Sequence, residues 1–255
     1  MDFENFDINL FYNLTSNKKK EYIKKESEKI SVPPNIDSGL INSYKLKEVI
    51  NSFIVDYIEI KKYESQIAKN KKIKKIIKDF QDKFINSVLP NKLIEKYTNL
   101  YEMSDAKLFA VTNGITRSLS TRMGNLWEKI ATISHLAICP DEEFKLKIKG
   151  IDLIFLKNKI PIYTQMKTTE GTLTGSQVKR SIIELSIHEN SLFAACFATG
   201  TTWTFNAENI NKISGKEFWN KIQLDYDFIL NQSKEMIKNI QNEYIAASKD
   251  LKYYS

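Results

Sequence analysis

Between Leu40 and Leu100 the apolar residues recur at helical spacing, with Leu46, Ile50, Phe53, Ile54, Tyr57 and Ile58 forming one such stripe. A stripe of that period is what one buried helix face requires, and Pro33, Pro34 and Pro90 punctuate the ends, so the pattern predicts two or three helices. The first 35 residues, which contain NKKKEYIKKESEK, read as a charged arm or one further helix.

The period changes at Phe144. Phe144, Leu146 and Ile148 alternate with lysines, IDLIFL is nearly continuous apolar sequence, and a KNK turn leads into IPIYTQMKT. This predicts three consecutive strands, with Pro161 admissible only at a strand's beginning or edge. GSQVKRSIIELSIHEN returns to helical spacing, SLFAACFAT and TWTFN predict two further strands, and GKEFWNKI with YDFILNQSKEMIKNIQNEYIAAS predicts closing helices. Upstream, Leu126, Ile130, Ile133 and Ala137 in GNLWEKIATISHLAI make a stripe that predicts a helix laid against a sheet. The eight glycines divide the same way: only Gly39 lies in the first 113 residues. The expected organisation is α/β, with a helical region over 1–110 and the sheet-bearing part over 111–255.

Composition narrows the function classes. At 255 residues, 42% hydrophobic and 27% charged, the chain is an ordinary globular protein, which excludes disorder, a collagen-like fibre and a disulfide miniprotein. No apolar run approaches the roughly 20 residues of a membrane helix, and the acidic start MDFENFD is unlike a signal peptide, so a cytoplasmic protein with no membrane partner is expected. Two cysteines without a CxxC and two histidines exclude zinc-finger chemistry. A net charge of +7 favours a polyanionic partner, nucleic acid before membrane surface. The enrichment in Lys, Ile and Asn also fits an AT-rich genome, so part of the basicity needs no functional cause.

One constellation carries chemistry. Metal-dependent phosphodiester cleavage needs hard oxygen ligands from separate backbone segments and a nearby cation. Asp152 stands in an otherwise apolar strand, where an unpaired carboxylate costs several kcal/mol unless something, such as a metal, compensates it. On the next strand, alternation places Tyr163, Gln165 and Lys167 on one face, and a hairpin around Lys157, Asn158 and Lys159 would let Asp152 reach that face. Glu128 lies off the centre of its helical stripe, able to reach the strand ends.

Glu128, the GID at 150–152 and the QMK at 165–167 together resemble the PD-(D/E)xK nuclease core, in the QxK form found in some type II restriction endonucleases. The S-x-x-x-R-x-G-x-x-x-E running from Ser118 through Arg122 and Gly124 to Glu128 is similar to segments of restriction enzymes that cut sites with GG and CC arms, and GKEFW at 215–219 resembles a segment of the same group. The likeness covers roughly residues 112–220. It implies a restriction-endonuclease-like core, a mixed central sheet flanked by helices, with Mg²⁺ as cofactor. It further implies double-stranded DNA as substrate, a homodimer acting on a palindromic site, and a separately encoded methyltransferase. By the same resemblance Asp152 would bridge metal and scissile phosphate, and Gln165 and the Met166 backbone carbonyl would complete the metal shell. Lys167 would position or help deprotonate the attacking water, and Glu128 would orient Lys167 or hold a second metal through water. Gln165 in place of the usual acid makes one metal site less negative.

DNA contacts fall to the flanking segments: Asn113, Arg117, Ser118 and Arg122 before Glu128, and Thr168, Thr169, Thr172, Thr174, Gln177, Lys179 and Arg180 after Lys167. Arginine to guanine and Asn or Gln to adenine are the expected base contacts, with hydroxyls and lysines on phosphate. The run from Lys69 to Lys78 reads as phosphate-gripping or as a solvated helix face. Plain structural uses stand beside these: Asp152 capping a turn or pairing with Lys167, Glu128 as an exposed helical acid, and the three tryptophans as core. The alternatives are another nuclease of the same core, in repair or methyl-directed cleavage, and a non-catalytic basic DNA-binding protein or helical interaction module.

Overall fold

The computed structural model describes residues 6–94, 96, 99–200 and 202–250. In chain order its elements are α1 (Ile8–Tyr12), α2 (Ser16–Glu28), α3 (Ile41–Asn51), α4 (Ile54–Glu59), α5 (Gln66–Lys83), α6 (Leu89–Ile94), α7 (Leu100–Met103), α8 (Lys107–Ala131), β1 (Ala137–Ile138), α9 (Pro140–Phe144), β2 (Leu153–Lys157), β3 (Ile160–Thr169), α10 (Ser176–Ser186), β4 (Ser191–Phe197), β5 (Asn211–Ser214), α11 (Lys216–Lys221) and α12 (Tyr226–Asp250). Contacts gather them into two compact units, residues 1–69 with 128–226 and residues 70–127 with 227–255. These units follow different lines from a division at residue 110: the first 69 residues belong with the sheet.

In the first unit the five strands lie in the order β1-β2-β3-β4-β5. β1, β2 and β3 are antiparallel and β3, β4 and β5 parallel, so the sheet is mixed. The register of β2 with β3 is set by a two-residue turn: Lys157 pairs with Ile160, and Asn158 and Lys159 both take positive φ (52° and 62°), the backbone that matches a hairpin's twist. Pro161 sits second in β3, where its missing N–H costs little.

The N-terminal helices build the core on the face of Ile154, Tyr163 and Phe193. Asp7 caps α1 by accepting from the N–H groups of Asn9 and Leu10, and Thr15 caps α2. Leu46, Val49, Ile50, Phe53, Ile54, Tyr57 and Ile58 are all buried in one cluster with Phe11, Phe144, Ile154, Tyr163 and Phe193. Rings of Phe53 and Tyr57 meet Phe144 edge-on at 5.8 and 5.2 Å, the favoured aromatic geometry. Lys19 and Tyr57 both donate to the Glu143 carboxylate, which ties α2, α4 and α9 together.

Three local expectations are corrected. Phe144, Leu146 and Ile148 do not form a strand: Phe144 ends α9, and beyond it Ile148 makes only an isolated bridge to Ile151. All three are buried, so the alternation marks burial without sheet pairing. The helical stripe stops at Ala131, and Ala137 instead pairs with Phe155 in β1. TWTFN is not a strand. Phe205 stacks on Phe193 at 4.0 Å, which fills the core from an irregular segment, and the fifth strand is Asn211–Ser214.

The second unit is helical. Ile73, Ile77, Phe84, Leu89, Val111, Ile115, Met236 and Ile240 are buried. Thr112 and Tyr244 share a hydrogen bond at 2.8 Å, and Asn239 donates to Gln81 at 3.2 Å. A π-helical stretch, Phe84–Val88, precedes Pro90. The wider turn relieves the clash a proline ring makes with the carbonyl four residues back. Among the described residues no helix is long and apolar enough to cross a membrane.

Candidate active site

The hairpin register runs from Lys157↔Ile160 to Leu153↔Thr164 and brings Asp152, the next residue back, against the middle of β3. There the Asp152 N–H donates to the Thr164 carbonyl at 2.9 Å, and Asp152 Oδ2 accepts the Met166 N–H at 2.7 Å. A strand residue's N–H and C=O leave the same edge of the strand, so the Met166 carbonyl also projects from the edge that Asp152 flanks. Gln165 and Lys167 occupy the alternate positions of β3, on the face shared with Phe193 and Ala195 of β4.

Gln165 is buried, and its Oε1 has no hydrogen-bond partner among the described residues. An unsatisfied buried acceptor costs about 1–3 kcal/mol. Burial raises the Asp152 carboxyl above the ordinary carboxylate range; Lys167 and the Met166 N–H pull against it, and Glu184 pushes with it. Burial, then Asp152 and Glu142, push Glu128 up to about 7 against the pull of Lys167, with Asp141 adding to the rise. Glu128, in the last turn of α8, therefore lies within electrostatic reach of both Asp152 and Lys167. Those four sequence-predicted residues are brought into one neighbourhood.

Sequence reasoning missed Glu184. It is buried on α10, its carboxylate accepts from Arg180 Nε at 2.7 Å, and its charge acts on Asp152. α10 comes this close because residue 150 is glycine: φ is +73°, and a β-carbon there would stand 2.6 Å from Glu184 Cβ and 2.8 Å from its Oε2. The sequence signal was the Arg180/Glu184 pair at i,i+4 on a helix whose other face is apolar. Arg180, expected on DNA, is engaged here.

Among the described residues no three His, Cys, Asp or Glu side chains converge as a metal-binding group. The donors at hand are of another kind: the Asp152 carboxylate, the unsatisfied Gln165 amide oxygen and the Met166 carbonyl, with Glu184 adding negative charge behind them. One or two carboxylates, neutral oxygens and water make up the hard-oxygen shell that Mg²⁺ takes. The residues fit that ion and do not fit a soft-ligand zinc site. Cys139 and Cys196 are free and buried, and burial pushes the Cys139 thiol up to about 11, which leaves it inert as a nucleophile.

The remaining candidates divide between the units. In the first, Thr169 and Thr172 bond to each other (Oγ1 to Oγ1 3.1 Å), and Thr172 also donates to the Thr169 carbonyl at 2.8 Å. Gln177 Oε1 accepts the Thr174 N–H at 3.3 Å. These groups fasten the connection from β3 to α10, on which Thr168 is half-buried and Lys179 exposed. In the second unit Asn113, Arg117, Ser118 and Arg122 line a cleft of about 500 Å³ with Lys92 and Asn99, and among the described residues that line it none is acidic. Lys69 is not part of a phosphate-gripping face: it is buried, and its Nζ donates to the Gln223 carbonyl at 3.1 Å. Trp127 and Trp219 are buried, as expected of core residues. The chain matches no protein-family model, no curated protein and no solved structure.

Proposed function

We propose that the chain is a Mg²⁺-dependent deoxyribonuclease of the PD-(D/E)xK type, and within that class a type II restriction endonuclease. The observation that carries the reading is the unsatisfied, buried Gln165 Oε1 on the strand whose Met166 N–H binds the Asp152 carboxylate, next to Lys167. The chemistry that Mg²⁺ supplies when bound is Lewis-acid polarisation of a phosphate and activation of water. Asp152, Gln165 and the Met166 carbonyl would hold the ion. Glu184 supplies the acid that Gln165 lacks, from α10 instead of from β3. Lys167 would orient the attacking water and stabilise charge developing on the phosphate. Glu128 would hold the Lys167 ammonium in line.

Double-stranded DNA is the proposed substrate, at a short palindromic site with GG and CC arms, cut by a homodimer whose two-fold axis matches the site. A methyltransferase encoded separately would protect the host's own copies. Digestion of a sequenced plasmid with and without Mg²⁺, followed by mapping of the ends, tests the reading. Discrete fragments that need Mg²⁺ are expected. A smear points to a repair or methyl-directed nuclease of the same core. One observation favours a second reading, a non-catalytic basic DNA-binding protein: Asp152 Oδ2 already serves the Met166 N–H as a structural acceptor. DNA binding without cleavage under any divalent ion is the outcome it requires.

A further inference from the structure

At the far end of β2 from Asp152, the first unit carries a second concave site. Five residues of β2, at about 3.4 Å each, separate the two by roughly 17 Å. The cleft has a volume of about 400 Å³ and lies between the β2–β3 turn, the end of α4 and the residues that follow α11. Ile58 and Leu156 form an apolar floor. Its rim is cationic: Lys61, Lys157, Lys159 and Lys221 line it, with Glu59 the one acid among the described residues there.

Those lysines are not equivalent. Lys61 is held by the carbonyls of Thr132 and Ser134 (3.2 and 2.8 Å) and that of Ala137. Lys159 pairs with Glu59 at 3.1 Å and Lys221 with Glu217 at 3.1 Å, all of them solvent-facing pairs of small net worth. Lys157 is exposed at the end of β2, and its side chain has no ion pair or hydrogen bond among the described residues. His135 also lines the cleft. Its ring meets Tyr63 edge-on at 5.2 Å, and its Nδ1 is buried with no hydrogen-bond partner among the described residues. Burial lowers the His135 pKa, and the charges of Lys69 and Lys61 lower it further. The ring thus sits in a field that an anion would reverse.

An apolar floor under a cationic rim, in a volume of a few hundred Å³, suits a small ligand with a flat body and a charged end. We propose that this cleft binds a small phosphate-bearing anion of mononucleotide size, its phosphate between Lys157 and Lys221 and its body over Ile58 and Leu156. The proposal is independent of the nuclease reading, because none of these residues belongs to the Asp152 neighbourhood.

The test uses the full chain and its two histidines. ¹H–¹⁵N spectra of the imidazoles are followed while deoxyadenosine monophosphate, inorganic phosphate or deoxyadenosine is added. The monophosphate should shift the His135 ring and leave His188 still, since His188 is buried elsewhere against Tyr163 at 4.2 Å. Inorganic phosphate should shift it less, and the nucleoside should not shift it. The double variant Lys157→Ala/Lys221→Ala should weaken the monophosphate at least fivefold while the unchanged His188 resonance reports an intact fold. Asp152→Ala should bind it as the wild type does. An unmoved His135 at millimolar monophosphate overturns the proposal, as does equal affinity in the double variant. A shift produced only by a DNA duplex overturns it too, and would reassign the cleft to a nucleic-acid backbone.

Discussion

The absent β-carbon of Gly150 is what lets Glu184 stand beside Asp152: a methyl group there would lie 2.6 Å from Glu184 Cβ. Two costs therefore fall on Gly150→Ala, the positive φ of +73° and the collision with the buried Glu184 side chain. Together they predict a loss of about 2–4 kcal/mol, read as a lower urea midpoint. Nuclease activity should fall as well, because α10 must retreat and take its carboxylate with it. Glu184→Gln separates the two effects. It keeps the packing and should leave the unfolding free energy within about 1 kcal/mol of wild type while still cutting activity.

Asp152→Ala and Lys167→Ala should each abolish plasmid cleavage, by about 10²–10⁴-fold or more, while DNA binding by gel shift persists. Stability reports on Asp152 separately. Its carboxyl is raised by burial, so the stability it confers is present below its unfolded pKa and lost as pH rises through the folded value. At neutral pH without metal, Asp152→Asn should therefore melt higher than wild type. Added Mg²⁺ should raise the wild-type melting temperature and leave Asp152→Asn where it was. Unchanged cleavage by Asp152→Ala would remove the proposed chemistry altogether.

Glu128 predicts a pH dependence. Its carboxyl moves from 4.5 unfolded to about 7 folded, so the fold holds this proton more tightly. Stability from Glu128 is full below about pH 4.5 and drains away as pH rises through about 7. Glu128→Gln should flatten the decline of the urea midpoint across that window. If the ionised form is needed to hold Lys167, cleavage by the wild type should rise with an apparent pKa near 7, and that limb should vanish in Glu128→Gln.

Much of this neighbourhood could be read from local pattern, because its parts are local. The hairpin rests on two residues, Asn158 and Lys159, between two apolar runs. Once it forms, period two places Gln165 and Lys167 together without further information. What was illegible depends on contacts between distant segments. Two residues, Ala137 and Ile138, are too few to show a period, and they become a strand only because β2 offers an edge. Phe144, Leu146 and Ile148 alternate because all three turn inward from a short helix and a loop, and burial alone mimics a strand's signature. Residues 1–110 look like one helical region by composition, yet Phe53 and Tyr57 need Phe144 as a ring partner. Glu184 was hidden for the same reason, since nothing near it in sequence announces a glycine 34 positions earlier.

Gln165→Glu tests the unsatisfied oxygen directly. In the wild type, Oε1 is buried without a donor, and the amide carries no charge to bring an ion in. A carboxylate at the same position would add a negative charge beside Asp152, which already feels the charge of Glu184, so like-charge repulsion in a buried site should destabilise the metal-free variant. In EDTA, Gln165→Glu should therefore melt below wild type. Mg²⁺ should reverse the order, because a second acidic ligand binds the ion more tightly and ligand binding to the folded state raises stability by mass action. Thermal melts of both proteins across a Mg²⁺ titration give the answer. Two parallel titration curves, with the variant always lower, would mean that the Gln165 oxygen faces no ion and that Asp152 serves the fold alone.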